Sequence, residues 1–283
     1  MLAPAAAALA LRIPIAHIEG GEVSTGAIDD AVRNALTKLS HLHFTPTEDA
    51  RRRVLALGEE GWRLHRTGAP SLDHLVNGQL PDADALARAL GVCPGRETTV
   101  VAVHPVTLDE DTTAEADALF EALTDRQDLV FCFPNADAGS RRLIRRARAL
   151  CDARSDARLY TNLAPPLYWA LLREAGALVG NSSSGIMETG SLALPTVNVG
   201  RRQAGRTRGP QVIDAPATPA AIRAALDRAL EPSFRAGLAG MTNPYGDGRA
   251  GERIAAALAA APDRARLLDK RPLPLDGLAF RHE

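Results

Sequence analysis

The stretch ALVGNSSSGIMETG, residues 177–190, joins a short apolar run to a turn of small polar residues and the start of a helical pattern. Residues 177–179 predict a buried strand, and the apolar spacing that resumes at Ile186 predicts a helix. The turn between them, residues 180–185, puts free backbone N–H groups and serine hydroxyls at the positive end of a helix dipole. This order of elements predicts an α/β sheet with an anion site at the turn. An ordinary serine N-cap is the alternative interpretation.

The same alternation of strand and helix patterns extends in both directions from this stretch. Strands are predicted over residues 13–18, 41–45, 63–67, 98–103, 129–133, 157–161, 177–179 and 196–199. Helices are predicted to begin near Ala27, Glu48, Asp82, Thr113, Gly139, Pro165, Gly185 and Thr218. Such an alternation is typical of parallel βαβ units, whose ligands bind at the carboxyl ends of the strands.

Composition narrows the possible partners. The 283-residue chain is 46% hydrophobic and has a net charge of -1, so it has no overall attraction to nucleic acid or to anionic membranes. Three cysteines without CxxC spacing argue against a disulfide framework or a zinc site and favour the cytoplasm. The sequence contains no Walker loop, no dinucleotide GxGxxG and no G-x-S-x-G elbow. We expect neither a metal nor a cofactor.

The turn residues and the composition of the two chain ends divide the sequence into three segments. Residues 1–11 are apolar and alanine-rich, lack a basic leader and are shorter than the about 20 residues of a membrane span, so they predict a buried helix. Turn dipeptides within residues 68–82 predict a boundary. We therefore expect the remnant of an N-terminal domain over 1–80, a second domain over 81–261 and a poorly ordered tail over 262–283.

A basic loop follows the strand predicted at 196–199. Arg202 and Arg206 in this loop emerge at the same sheet edge as the serine turn, where they could bind a pyrophosphate. Glu188 lies one turn into the helix after the serines, where its carboxylate could accept both hydroxyls of a ribose. A solvated basic loop is the alternative interpretation.

Carboxylates and a histidine also follow predicted strands. Glu19 ends the first strand, and Asp29 lies four residues before Arg33 on one helix face, so acids from two elements could meet around an arginine. His104 ends the strand at 98–103, where it could bind a phosphate or act as an acid. A surface salt bridge at Asp29 and a purely structural His104 are the alternatives.

Taken in order, several stretches carry a resemblance to a known family. They are HIEGGEVSTGAIDDAVRNALTKLSHLHFTPTE (17–48), TGAPSLD (67–73), HPVT (104–107), FPNADAGS (133–140), GNSSSGIMETG (180–190), VGRRQAGR (199–206) and NPYGDG (243–248). The chain resembles the hydrolysing UDP-N-acetylglucosamine 2-epimerases of sialic-acid and related sugar biosynthesis. The non-hydrolysing branch typically has E-A-G-L-R-T where this chain has Glu19-Gly20-Gly21-Glu22.

The resemblance implies a glycosyltransferase-B-like α/β fold, with two Rossmann-type domains and the active site between them. It implies catalytic roles for Glu19, Asp29, Arg33 and His104. It implies substrate or UDP contacts at Asn135, Asp137, Ser182, Ser183, Ser184, Gly185, Glu188, Arg202 and Arg206. The implied reaction removes the C2 proton, expels UDP from C1 and adds water to the 2-acetamidoglucal, giving an N-acetylmannosamine-type sugar.

Two family motifs are missing from this chain. Neither the T-x-x-R-A-[DE] turn nor the H-G-D-R motif with its catalytic aspartate is present, so we expect the first domain to be incomplete. Two other functions stay open: a UDP-sugar-dependent glycosyltransferase, and a UDP-sugar-binding protein without catalysis. A UDP-sugar is the expected partner, and a homodimer or homotetramer is possible.

Overall fold

The computed structural model describes residues 1–23, 29–106, 111, 113–133 and 140–271. The strands are β1 (Ala16–Ile18), β2 (Leu42–Thr45), β3 (Leu64–Arg66), β4 (Thr99–Ala102), β5 (Leu129–Phe133), β6 (Ala157–Thr161), β7 (Ala177–Gly180), β8 (Thr196–Val199) and β9 (Val212–Ala215). The α-helices are α1 (Leu2–Ala10), α2 (Asp29–Leu39), α3 (Glu48–Ala56), α4 (Ser71–Asn77), α5 (Ala83–Leu90), α6 (Ala114–Ala122), α7 (Ser140–Asp152), α8 (Pro165–Glu174), α9 (Ser184–Met187), α10 (Pro219–Leu230), α11 (Pro232–Ala236), α12 (Ala250–Ala259) and α13 (Arg264–Leu268). Short 3₁₀ helices lie at Gly61–Arg63 and Thr189–Leu192.

These strands form two parallel sheets. The first has the order β1-β2-β3, and the second has the order β6-β5-β4-β7-β8-β9. Counted from β4, the second order is 3-2-1-4-5-6, which is that of a doubly wound Rossmann sheet. The order in which successive strands are added reverses between β4 and β7, so this parallel pair forms the switch point at which such sheets bind ligands. The predicted α/β fold with two Rossmann-type sheets is confirmed.

The central strands of the second sheet, β4, β5, β7 and β8, are buried on both faces and are mostly apolar. The edge strands β6 and β9 are only partly buried. Val101 packs into a core with α6, α7 and α10, whereas the next-door Val100 packs into a core with α5 and α8. Successive side chains of a strand point to opposite faces, so β4 contributes to both cores. Helix α8 is thereby fixed beside the switch point.

The predicted strands are all found, with ends shifted by at most a few residues, and β9 was not predicted. Residues 1–11 form the predicted helix, but the prediction that it is buried was wrong. Leu9 is 44% exposed and Leu11 68% exposed, and Ala5 is the buried residue of α1. A helix that is apolar on every side gives no signal for which face will be covered, because its neighbours decide that. The described part of the chain has no helix long and apolar enough to cross a membrane.

The segment after residue 262 differs from the predicted poorly ordered tail. It forms α13, and the fully buried Arg63 donates hydrogen bonds to the carbonyls of Leu267 and Asp269, both at 2.8 Å. Lys270 lies 2.7 Å from the buried carboxylate of Glu59. These contacts tie the segment to the β1-β2-β3 unit, about 200 residues away in sequence. Residues 272–283 lie outside the described part of the chain.

Candidate functional site

Two loops meet at the switch point of the second sheet. Ala102 and Gly180 are register partners at the ends of β4 and β7, and the Asn181 N–H donates to the Ala102 carbonyl at 3.1 Å. Gly180 has φ +140°, and an added Cβ would lie 2.0 Å from the Ala102 oxygen. Only glycine fits at this position, because the two strand ends approach so closely.

The side chain of Asn181 then holds the histidine in place. The His104 N–H donates to Asn181 Oδ1 at 2.7 Å, and Asn181 Nδ2 donates to the His104 carbonyl at 2.9 Å. Asn181 is buried, so this pair of bonds is shielded from water. It fixes the backbone of His104 beside the serine turn. The role of Asn181 itself was missed, because a clamp between two loops has no local signature.

The serine turn forms a connected set of hydroxyls. The Oγ atoms of Ser182 and Ser184 lie 3.0 Å apart, and the Tyr168 hydroxyl lies 2.8 Å from Ser184 Oγ. Helix α9 begins at Ser184 and is only four residues long, shorter than the sequence suggested. A Cβ at Gly185 would lie 2.8 Å from the side chain of Thr196, so this glycine lets the turn pack onto β8.

A cavity of about 310 Å³ opens between the serine turn and α8. The polar residues of its lining include His104, Ser182, Ser184 and Glu188. The largely apolar residues of the lining include Cys132, Phe133, Leu163, Pro165 and Trp169. A cavity lined by both kinds of residue suits a ligand with an anionic or hydroxylated part and a flat ring.

Glu188 is one of the polar residues that line this cavity. The Trp169 indole N–H donates to Glu188 Oε2 at 3.1 Å. Burial raises the pKa of Glu188, while the Trp169 hydrogen bond acts in the opposite direction. The carboxylate is therefore held in a defined orientation, and it lines the same cavity as Ser182 and Ser184.

The two arginines predicted to bind a pyrophosphate contact different loops. Arg202 donates to the Asn181 carbonyl at 3.0 Å, so it lies against the serine turn. Arg206 donates to the Val23 carbonyl at 2.8 Å and lies 3.6 Å from the Glu22 carboxylate. Arg206 thus joins the loop after β8 to the loop after β1.

The loop after β1 carries two acids rather than one. Burial raises the pKa of Glu19, against the opposing charges of Arg206 and Arg33, and burial likewise raises the pKa of Glu22. Glu22 is buried, and neither of its carboxylate oxygens accepts a hydrogen bond from the described residues. Glu22 was not predicted from the sequence. The preceding Gly21 has φ +77° and leaves no room for a side chain, so it sets the path of the loop that buries Glu22.

The predicted partnership of Asp29 and Arg33 takes a different form. Arg33 forms its salt bridge with Asp30, at 3.7 Å, and donates to the Glu22 carbonyl at 3.0 Å. Asp29 is exposed at the start of α2. Arg33 therefore lies at the acid cluster as predicted, but the helix turn brings Asp30 to it. Asn135 and Asp137, also predicted as ligand contacts, lie outside the described residues.

The chain is similar in sequence to known proteins. The family model described as UDP-N-acetylglucosamine 2-epimerase matches residues 1–259. A protein of Legionella pneumophila named UDP-N,N'-diacetylbacillosamine 2-epimerase (hydrolyzing) is 35% identical over 273 residues, which cover 95% of this chain and 71% of that protein. A Campylobacter jejuni protein named GDP/UDP-N,N'-diacetylbacillosamine 2-epimerase (hydrolyzing) is 35% identical over 218 residues, covering 76% of this chain and 57% of that protein.

Solved structures support the fold. A UDP-GlcNAc 2-epimerase of Methanocaldococcus jannaschii, solved with UDP-GlcNAc and UDP, superposes with a TM-score of 0.73 at 18% identity, covering 92% of this chain and 73% of that one. The Neisseria meningitidis UDP-GlcNAc 2-epimerase bound to UDP-GlcNAc gives a TM-score of 0.63 at 19% identity, covering 92% and 73%. With the family match over nearly the whole chain, the resemblance noted in the sequence is confirmed, and the chain belongs to the UDP-N-acetylglucosamine 2-epimerase family.

Proposed function

We propose that this chain acts as a hydrolysing 2-epimerase, which eliminates UDP from a UDP-2-acetamido sugar and adds water to the resulting glycal. The observation that carries the proposal is the position of Arg206. It contacts Glu22 and Val23 on one side and Met187, in the helix after the serine turn, on the other. Arg206 thus links the loop that carries the acids to the helix after the serine turn, and this supports a shared site for the acids and the diphosphate.

In the first step a carboxylate removes the proton from C2, and the C1–O bond breaks to release UDP. We assign the acid–base work to Glu19 and Asp29, supported by Arg33, and add Glu22 as a further candidate. Burial raises the pKa of both Glu19 and Glu22 toward the working pH, which improves a carboxylate as a general acid or base. Water then adds across the double bond of the glycal, with a proton returning to C2, and leaves an N-acetylmannosamine-type sugar.

The departing diphosphate needs stabilisation, because the C2 carbon is not next to a carbonyl and its proton is weakly acidic. Fixed donors that face the developing negative charge supply this. We assign this role to His104, the serines at 182–184 and Arg202, which the clamp of Asn181 holds together. Glu188 is assigned to the ribose hydroxyls, with Asn135 and Asp137 as additional proposed contacts.

The identity of the sugar in the substrate is proposed from the names of the relatives. Relatives that are 35% identical carry names with a diacetylbacillosamine substrate, and this supports a UDP-2,4-diacetamido sugar ahead of UDP-GlcNAc. The chain spans 57% of the Campylobacter relative, so the substrate named for that whole protein enters here only as a proposal. The proposal places the enzyme in the cytoplasm, in keeping with its free cysteines. A homo-oligomer stays a prediction that light scattering can test.

The experiment is to incubate the protein with UDP-GlcNAc or with UDP-N,N'-diacetylbacillosamine in D₂O and to follow UDP release and the sugar by NMR. Elimination and water addition require deuterium at C2 of a 2-epimerised sugar, with one UDP per sugar and no acceptor present. Protium retained at C2, or turnover only after an acceptor is added, would indicate a glycosyltransferase instead. Tight UDP binding without turnover of either sugar would indicate a binding protein.

A further inference from the structure

Helix α8 presents two consecutive aromatic residues to the cavity. Two prolines begin the helix, and Ala170, Leu171 and Leu172 bury its next turn against the second sheet. Its position is therefore set by packing rather than by a ligand. Tyr168 and Trp169 both line the cavity, and each has one polar atom at its tip.

The polar tips of these two residues contact different parts of the site. The Tyr168 hydroxyl lies 2.8 Å from Ser184 Oγ, on the serine side, whereas the Trp169 indole N–H donates to Glu188 at 3.1 Å. An indole N–H can only donate, and an ionised carboxylate can only accept, so the direction of the second bond is fixed. It engages one of the two carboxylate oxygens and leaves the other for a ligand hydroxyl.

A donor is needed at this point for a physical reason. A carboxylate in a buried wall loses its hydration, and a hydrogen bond to the charged form compensates for part of that loss. Burial raises the pKa of Glu188 and the nearby Glu19 raises it further, whereas Trp169 opposes both effects. A protonated Glu188 would present a donor where a ribose also presents donors.

We propose that Trp169 is a positioning residue, whose indole N–H orients the Glu188 carboxylate and holds it as an acceptor for the ribose hydroxyls of the bound nucleotide. This inference rests on the proposed function, since it takes the cavity as the nucleotide site. It predicts that the discrimination between a ribose and a ribose without hydroxyls depends on a residue that does not itself touch the hydroxyls.

The test compares UDP with 2′,3′-dideoxyuridine diphosphate by calorimetry in the parent protein, Trp169→Phe and Glu188→Gln. Trp169→Phe should weaken UDP binding about tenfold or more, as expected for the loss of one hydrogen bond to a charged group, and should change binding of the dideoxy compound far less. Tyr168→Phe is the matched control on the same helix. It removes a hydroxyl on the serine side, so any loss should be equal for both ligands.

The pH dependence gives a readout that simple loss of packing would not move. In Trp169→Phe, the pH below which UDP binding weakens should shift upward, because Glu188 then protonates more readily. The dideoxy compound carries the same diphosphate, so it corrects for titration of the ligand. An unchanged pH profile together with unchanged ribose preference in Trp169→Phe would overturn the inference.

A measurement on the parent protein covers the case in which the variant does not fold. The chain has two tryptophans, so its indole N–H spectrum should contain two signals, and Trp62, bonded to Glu60, serves as the internal reference. We expect the Trp169 signal to move with pH and to lose that movement in Glu188→Gln. A Trp169 signal that ignores the substitution would exclude the bond.

The variants distinguish an error in the proposed ribose site from an error in the role of Trp169. If Glu188→Gln keeps the parent preference for UDP over the dideoxy compound, the ribose site of the proposed function is wrong. If Glu188→Gln loses that preference while Trp169→Phe retains it, the site stands and only the role of Trp169 is wrong.

Discussion

The contact that fixes the C-terminal segment can be tested by replacing one side chain. Arg63 is fully buried, and its guanidinium donates to the carbonyls of Leu267 and Asp269 at 2.8 Å and of His41 at 3.1 Å. It also lies 2.7 Å from a Glu60 oxygen. Arg63→Ala therefore leaves these carbonyls, and that of Arg266 at 3.5 Å, without this donor.

The expected loss follows from these bonds. Each buried acceptor left unsatisfied costs about 1–3 kcal/mol, although water entering the vacated space recovers a part of this. Truncating one member of a buried charged network costs about 3–5 kcal/mol in total. Domains are stable by only about 5–15 kcal/mol, so Arg63→Ala should remove a large fraction of the free energy of unfolding.

Urea unfolding followed by circular dichroism measures this loss. With a slope near the upper end of about 1–3 kcal/mol per molar urea, the midpoint should fall by more than about 1 M. Hydrogen exchange should show whether the amides of α13 lose protection before the rest of the chain does. The matched control is Arg271→Ala, because the exposed side chain of Arg271 pairs with the exposed side chain of Asp269, and its backbone N–H bond to Glu60 survives the substitution. Its midpoint should match that of the parent.

The reasoning would be refuted by a clear result. If Arg63→Ala keeps its urea midpoint within about 0.3 M and α13 keeps its amide protection, a shift that small corresponds to less than about 1 kcal/mol. The Arg63 hydrogen bonds would then contribute little, and apolar packing would hold the segment.

Three further predictions concern other parts of the chain. Gly21→Ala should be far more destabilising in urea than Gly91→Ala, because both glycines have positive φ but only at Gly21 would the new Cβ meet a carbonyl, that of Ala50, at 2.1 Å; equal losses would contradict this. Burial raises the pKa of Glu59, but its hydrogen bonds lower it to about 2, so the group stabilises the fold above its unfolded pKa of 4.5 and this stability should be lost as the pH falls toward 2. Urea midpoints between pH 5 and 3 would test it, and a flat profile would count against it. Ser183→Ala should weaken UDP binding by about 1 kcal/mol in calorimetry while leaving the urea midpoint unchanged, and unaltered affinity would remove this serine from the phosphate site.

Much of the fold follows from local pattern. The apolar run over residues 129–133 marks a strand with its observed bounds, since a strand buried on both faces needs a continuous apolar sequence. The strand over residues 157–161 was also predicted with its observed bounds, although it is mixed in sequence and partly exposed. The edge strand β9 escaped detection, because its burial is partial and its sequence, Val-Ile-Asp-Ala, is short and mixed. Helices α4, α11, α12 and α13 were also missed, although the alanine-rich sequence of α12 and the Asp263 N-cap of α13 are local helix signals.

Part of the site was predictable in the same way. The serine turn, Glu188 and His104 could be placed at one sheet edge, because each follows a predicted strand or opens a helix. Glu22 and Trp169 could not be predicted from local patterns. Glu22 contacts Arg206 and Trp169 contacts Glu188, and the residues of each pair are distant in sequence. Which loop Arg202 and Arg206 each contact also depends on how the two loops meet.

The sequence by itself determined the α/β class, the parallel strands and the turn of small residues that can receive an anion. These depend on hydrophobic period and on backbone freedom at a few positions, which are local properties. Only the tertiary structure decided the strand order, which puts β4 beside β7 and makes a switch point of their ends. It also decided that Arg63 orders the C-terminal segment and that Trp169 holds Glu188. Such contacts join residues with no fixed spacing in the chain, so they exist only once the sheets are packed.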